Sequence, residues 1–310
     1  MRPVRIATRG SELALAQSRA VAAAIRERLG RPTELVVVTT SGDRIQDRPL
    51  ASIGGKGLFV KEIQEALLEN RADLAVHSAK DLPARTPFEL ELVAFPPRED
   101  PRDALLTRPR GGSLEALPPG ARVGTGSTRR TAQLRALRPD LEVVPLRGNV
   151  PTRIRRLEEG ELDAVVLACA GLARLGLAER IDQRISTSQL LPAVGQGTLA
   201  LEARRGDALG RELRVLADPD STTAARAERA FQARLGGDCT VPLACLAEPG
   251  PSGWLRLRGF VGSPDGSRAV RAEAEAPPED AERAGRELAE EVLARGGEAV
   301  LRDLRSGAPA

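Results

Sequence analysis

The feature of this 310-residue chain that most restricts its fold is a plan of strand, glycine-serine turn and helix start that occurs twice. The first copy reads Ile6-Ala-Thr-Arg-Gly-Ser11 and leads into a helical pattern containing Ala16-Gln17. The second reads Val123-Gly-Thr-Gly-Ser127 and leads into one containing Ala132-Gln133. Each copy continues into an apolar strand closed by a turn, Leu35-Val-Val-Val-Thr-Thr-Ser-Gly-Asp43 and Leu141-Glu-Val-Val-Pro-Leu-Arg-Gly-Asn149. A third strand follows in each, Asp73-Leu-Ala-Val-His-Ser-Ala-Lys-Asp-Leu82 and Asp163-Ala-Val-Val-Leu-Ala-Cys-Ala-Gly-Leu172. Alternating strand and helix patterns predict two α/β domains of one plan, with the ligand groups on the loops that follow the strands.

The copies differ in one place. Asp43 and Asp73 lie 30 positions apart and Asn149 and Asp163 only 14, so the first copy carries 16 extra residues. That insertion contains Ile45-Gln-Asp-Arg-Pro-Leu-Ala-Ser-Ile-Gly-Gly-Lys-Gly57, rich in glycine and without apolar periodicity, which suits either a flap over a cleft or an ordinary surface loop. Proline and glycine punctuation places a crossing between domains at Pro96-Pro97 to Asp103 and a return at Pro192 to Gly197. The expected division is therefore 1–97 with 198–214, then 98–197, then 215–310. The last of these reads as a smaller α+β domain: a helix from Ser221 to Leu235, strands near Val241–Ala247, Trp254–Val261 and Ala269–Ala276, and helical segments over 279–304.

Composition narrows the class. An apolar fraction of 41% with 29% charged residues fits a globular chain, and the start at Met1 enters a strand pattern with no signal-peptide core, so the cytoplasm is the default compartment and no membrane is expected. Three cysteines without a CxxC pair, and one histidine, predict neither a disulfide framework nor a metal site. A net charge of +3 and 2% aromatic residues argue against a nucleic-acid partner, which needs phosphate neutralisation and stacking surfaces. Of 46 cationic residues only Lys56, Lys61 and Lys80 are lysine, which leaves 43 arginines, most of them compositional background.

Some positions stand out from that background. Ser11 and Ser127 begin helices, where they can cap the backbone or help to hold an anion. Arg9, Arg129 and Arg130 flank these turns, and Arg147, Arg153 and Arg174 lie near other strand ends. A planar guanidinium pairs two-pronged with a carboxylate, so a cleft lined in this way expects a ligand bearing several carboxylates. Asp81 precedes Leu82-Pro83 and can cap a turn or carry chemistry; His77, the sole histidine, fits a buried structural role better than that of a general base. Cys239 sits on a glycine-rich turn between helix and strand, which presents a thiol, whereas Cys245 lies within an apolar strand.

Five segments, in this order along the chain, share their pattern with a known family: Gly54-Gly-Lys-Gly-Leu-Phe59, His77-Ser-Ala-Lys-Asp81, Leu146-Arg-Gly-Asn-Val-Pro-Thr-Arg153, Pro192-Ala-Val-Gly-Gln-Gly197 and Leu235-Gly-Gly-Asp-Cys-Thr-Val-Pro-Leu243. Together they resemble porphobilinogen deaminase, also called hydroxymethylbilane synthase. The resemblance implies two similar periplasmic-binding-protein-like α/β domains around a cleft plus a smaller α+β C-terminal domain, in a monomer. It implies a transferase that condenses four porphobilinogen molecules head to tail, with loss of ammonia each time, on a covalent dipyrromethane primer made from the substrate itself.

By the same resemblance Cys239 carries the primer through a thioether, and Lys80, Asp81, Thr125, Ser127, Arg129, Arg130, Arg147 and Gly148 hold it. Arg9, Ser11, Lys56, Phe59, Ser78, Arg147, Arg153 and Arg174 meet substrate, and Asp81 is catalytic, stabilising the positive charge on the pyrrole nitrogen of the azafulvene formed as ammonia leaves. One departure is that the family usually has Glu-Gly-Gly-Cys where this chain has Gly236-Gly-Asp-Cys239. An acid beside the thiol is expected to slow it as a nucleophile. A non-catalytic receptor for an anionic solute is the alternative that two lobes around an arginine-lined cleft leave open.

Overall fold

A computed structural model describes residues 2–44, 60–236, 241–250 and 253–306. The chain begins with β1 (Val4–Arg9), whose side chains are mostly buried, and α1 (Glu12–Leu29). Ser11 Oγ accepts from the Ala14 amide at 3.3 Å to start α1, and Gly30, at φ +62°, ends it. β2 (Thr33–Val38), the single turn α2 (Ser41–Arg44), α3 (Lys61–Leu68), β3 (Leu74–Ser78) and β4 (Leu90–Ala94) complete this stretch. The second copy runs β5 (Asp103–Thr107), β6 (Arg122–Thr125), α4 (Thr128–Leu137), β7 (Glu142–Pro145), α5 (Val150–Glu158), β8 (Ala164–Ala168), α6 (Cys169–Arg174) and β9 (Gln183–Ile185). Then follow β10 (Leu199–Arg204) and α7 (Ala208–Leu213).

The two sheets repeat one strand order. The first is β2-β1-β3-β10-β4 and the second β7-β6-β8-β5-β9. In each, the first three strands are parallel and the fourth runs antiparallel to both of its neighbours. That fourth strand is always supplied by chain arriving from the other sheet: β5 follows the crossing after β4, and β10 follows the return after β9. The crossings run side by side, with the Glu99 amide donating to Gly197 O at 3.2 Å and Arg98 Nε to Gln196 O at 2.8 Å. Two α/β units of the same plan are thus joined by a paired hinge, the arrangement that the repeat predicts.

The rest of the chain forms α8 (Pro219–Leu235), the antiparallel sheet β11 (Leu243–Pro249), β12 (Leu255–Gly262) and β13 (Ala269–Ala276), then α9 (Ala281–Val292) and α10 (Glu298–Ser306). Phe231, Leu257, Leu288 and Val300 fill its core, each fully buried large apolar side chain contributing about 1.5 to 3 kcal/mol. One sequence expectation shifts here. The strand expected from Val241 starts at Leu243, because Pro242 has no amide to donate to a ladder. The helical segments expected over 279–304 are present and divide at 293–297, where Gly296 takes φ +111°. Phe260, Ala244 and Leu246 of this sheet pack with Ala132 of α4 and Leu191, which seats the third unit on the second lobe. Among the described residues no helix is long and apolar enough to cross a membrane.

Candidate active site

β3 is buried along almost its whole length and delivers the short turn Ala79–Asp81 to the seam between the lobes. His77, near the strand end, is buried and paired at Nε2 with Glu202 Oε2 of β10 at 3.0 Å, while Glu202 Oε1 accepts from Gln64 at 2.9 Å. His77 therefore belongs to a satisfied buried pair, the structural role favoured from sequence. Ser78 Oγ accepts from Gln17 Nε2 at 2.8 Å, so α1 fixes this hydroxyl. Lys80 and Asp81 are half-buried. Burial pushes the Lys80 ammonium down, Asp81 opposes that shift, and Arg130 and Arg129 add to it.

The matching turn of the second lobe holds a denser charge cluster. Ser127 caps α4 through the Arg130 amide at 3.4 Å, and buried Thr125 Oγ1 accepts from the Ser127 amide at 3.3 Å. Capping, the bland role for Ser11 and Ser127, is what both hydroxyls perform. Arg129 and Arg130 are buried and converge on Asp103, which is fully inaccessible: Arg130 Nη2 reaches Oδ1 at 2.7 Å and Arg129 Nη1 reaches Oδ2 at 2.8 Å. Gln196 of the return hinge also donates to Asp103 at 2.8 Å. Burial alone would raise the Asp103 carboxyl, but the two guanidiniums outweigh it and hold the group far below the usual carboxylate range.

Arg147, Gly148 and Arg153 follow β7. Gly148 takes φ +110°, and its carbonyl accepts from Arg153 Nε at 2.8 Å. Burial lowers the Arg153 guanidinium to about 10, with Arg130 and Arg147 adding to the shift. Arg174 of α6 donates to Gly197 O at 2.6 Å, and burial lowers it too.

Two cavities that share Leu13, Gln17 and Ser78 make up the cleft. One is walled by both lobes and includes Lys80, Arg130, Arg153 and Arg174; the other lies in the first lobe and includes Arg9, Ser11, His77 and Asp81. Arg129 is absent from both linings and stands behind Arg130. Gly195 must be glycine, since it has φ +70° and a Cβ would lie 2.9 Å from Ala79 Cβ and 3.1 Å from the Lys80 amide nitrogen. The return hinge thus packs directly under the Lys80–Asp81 turn. Lys80, Arg130, Arg153 and Arg174 wall one cavity together, and the carboxylates of a bound ligand would balance their charge, so the residues present fit a primer carrying acetate and propionate arms.

Several expected residues lie outside the described residues: the insertion 45–57, Lys56, Phe59, Asp238 and Cys239. Of the remaining thiols, Cys169 is buried and pushed up to about 12, chiefly by burial, and Cys245 is buried and raised by the same cause. Neither is a ready nucleophile. Sequence reading missed Asp103, Glu202 and Glu228. Each is an acid inside an apolar strand or helix face and fully buried, and a buried charge requires a partner, which is the signal that would have found them.

The fold and cleft define a two-lobed α/β protein with a cation-lined cleft between its lobes. Residues 4–212 match the family described as porphobilinogen deaminase, dipyromethane cofactor binding domain, and residues 222–294 match porphobilinogen deaminase, C-terminal domain. A porphobilinogen deaminase of Syntrophus aciditrophicus is 50% identical over 99% of this chain and 100% of its own length. One of Syntrophotalea carbinolica is 51% identical over 96% of this chain and 95% of its own. A solved periplasmic substrate-binding protein of an ABC transporter from Coxiella burnetii is similar at TM-score 0.44 and 13% identity, covering 69% of this chain and 91% of its own. The chain belongs to the porphobilinogen deaminase family, and its larger part is a dipyrromethane cofactor-binding domain.

Proposed function

We propose that the cleft carries out the stepwise deamination and head-to-tail condensation of four porphobilinogen molecules on a dipyrromethane primer attached to Cys239. Hydrolysis then releases hydroxymethylbilane for tetrapyrrole synthesis of the haem type. The observation that carries this reading is the convergence on one cleft of a carboxylate, Asp81, and cations from both lobes, Lys80, Arg9, Arg130, Arg153 and Arg174. When bound, the primer supplies the ring to which new units are added.

The division of labour follows from charge. Acetate and propionate groups call for the guanidiniums and Lys80, with Thr125, Ser127, Arg147 and Gly148 shaping the turns beside them. Arg130 meets ligand, while Arg129 supports it through Asp103. Ser11 and Ser78 offer hydroxyls at the first-lobe wall. As the carbon–nitrogen bond of porphobilinogen breaks, its electron pair leaves with ammonia and positive charge develops on the pyrrole nitrogen. A carboxylate at that nitrogen stabilises the charge and can take part in the later proton loss that restores aromaticity. Asp81 is free for this work, because among the described residues its carboxylate makes no hydrogen bond or ion pair. Asp81→Asn keeps the shape and removes the charge. A folded, primer-bearing variant is expected to lose on the order of 10²-fold or more in hydroxymethylbilane formation, and near wild-type turnover would reduce Asp81 to a turn residue.

A further inference from the structure

Asp81 takes no hydrogen bond from the described residues, so its placement depends on its backbone. The chain after it is irregular: residues 82–87 form no helix or strand, the Leu82 amide donates to Ala79 O, and the Leu82 side chain is buried in a small core. Beyond the packing of Leu82, one side-chain hydrogen bond from elsewhere among the described residues reaches this segment. Arg229 of α8 donates through Nη2 to the Ala84 carbonyl at 3.2 Å, three residues beyond Asp81.

Arg229 is well placed for that contact. One turn before it on the same helix, Ala225 packs in a small core with Ala79 and Leu82, the residues on either side of the Lys80–Asp81 pair, and with Val60, Phe95 and Ala200. Burial lowers the Arg229 guanidinium, and the charge of the Glu202 carboxylate opposes that shift. Its Nη1 is buried without a hydrogen-bond partner. The neighbouring residue on α8, Glu228, accepts from the Gly195 amide at 2.6 Å and from Arg98 Nη1 at 2.7 Å, so the same helix also grips both strands of the hinge. α8 ends at Leu235, four residues before Cys239.

We propose that Arg229 is a positioning residue for Asp81, fixing the turn that carries the carboxylate from the helix that leads to the primer-attachment loop. This rests on the reading of Asp81 and Cys239 given above. The same helix that clamps the catalytic turn along its side thus runs on in sequence toward Cys239.

The test is a double-mutant cycle in the full-length protein. Arg229→Met keeps the apolar stem and removes the donor and the charge; Arg229→Lys restores a charged donor. Primer occupancy is read from intact mass, and kcat and KM for porphobilinogen are expressed per folded, primer-loaded enzyme. Arg229→Met is expected to lower kcat by about 10- to 100-fold with KM little changed, the scale of a misplaced catalytic group, and Arg229→Lys to recover part of the loss. In an Asp81→Asn background Arg229→Met should cost almost nothing further, because its effect passes through that carboxylate. An additive loss in the double variant, or wild-type kcat in loaded Arg229→Met, overturns the proposal. If Arg229→Met does not fold, unchanged kcat in Arg229→Lys together with additivity in Arg229→Lys/Asp81→Asn overturns it equally. Full turnover by Asp81→Asn itself would instead sink the reading on which the proposal stands.

Discussion

Replacing Asp103 by asparagine tests whether the second lobe is held together by its charge cluster. The carboxylate is fully buried and bonds to Arg129, Arg130 and Gln196, and Arg130 further donates to Val166 O at 2.9 Å and Arg129 to Leu191 O at 2.6 Å. Asparagine keeps the shape but leaves two buried guanidiniums uncompensated and turns an NH₂ group toward one of them. Breaking a buried ion pair from one side costs about 3 to 5 kcal/mol. At about 1.4 kcal/mol per decade, amides of β5 and α4 should exchange roughly one hundred- to a few thousand-fold faster wherever exchange follows opening of the lobe. Amides of β1 and β2 in the first lobe serve as the internal control.

Hydrogen exchange resolved by peptide is the suitable assay, because a three-unit chain need not unfold in one step. The pH dependence gives a second check. The folded Asp103 carboxyl is depressed, so its stabilisation is complete above the unfolded value of about 3.9 and is lost as pH falls below that toward the folded value. The gap between wild type and Asp103→Asn should therefore hold from pH 7 down to about pH 4 and narrow as the pH falls below that. In an Arg129→Met background, with one guanidinium fewer to strand, Asp103→Asn should cost less. A loss under about 1 kcal/mol at pH 7, set against the 3 to 5 expected, or strict additivity with Arg129→Met, would refute the view that this carboxylate balances the cluster.

Two further outcomes follow from the site. Cys239→Ser should lack the covalent adduct of two linked pyrrole units in intact-mass measurements, while Cys169→Ser and Cys245→Ser, whose thiols are buried and raised, should keep it; an adduct retained in Cys239→Ser would move the attachment elsewhere. Lysine replacements at Arg9, Arg147, Arg153 and Arg174 should impair primer assembly or chain elongation, because an ammonium cannot reproduce a two-pronged carboxylate contact, whereas Arg26→Lys and Arg28→Lys, on the exposed side of α1, should be nearly silent. Equal and negligible effects on enzyme-bound intermediates in both sets would make these arginines compositional background.

What the sequence discloses about this cleft depends on how far each interaction reaches along the chain. Ser11 and Ser127 are legible as caps because a cap needs only its own turn, residue i to the amide at i+3. The repeated strand plan is legible for the same reason, since apolar alternation and Gly-Ser turns are local. Arg129 and Arg130 stand out locally only as neighbours of the second Gly-Ser turn; their buried ion pairs are not legible there, because the partner is Asp103, and its place is decided by topology. Asp103 lies beneath them only because β5, entering from the first crossing, takes the antiparallel slot beside β8 and pairs Asp103 with Ala168. His77 meets Glu202 for the matching reason: β10, entering from the return crossing, takes the corresponding slot beside β3, with Ala200 opposite His77. In both lobes, then, the buried acid that sets the charge behind the cleft arrives on the strand that has crossed the hinge. Any motion that shifts a crossing must also shift the counter-ion of the residues facing the ligand.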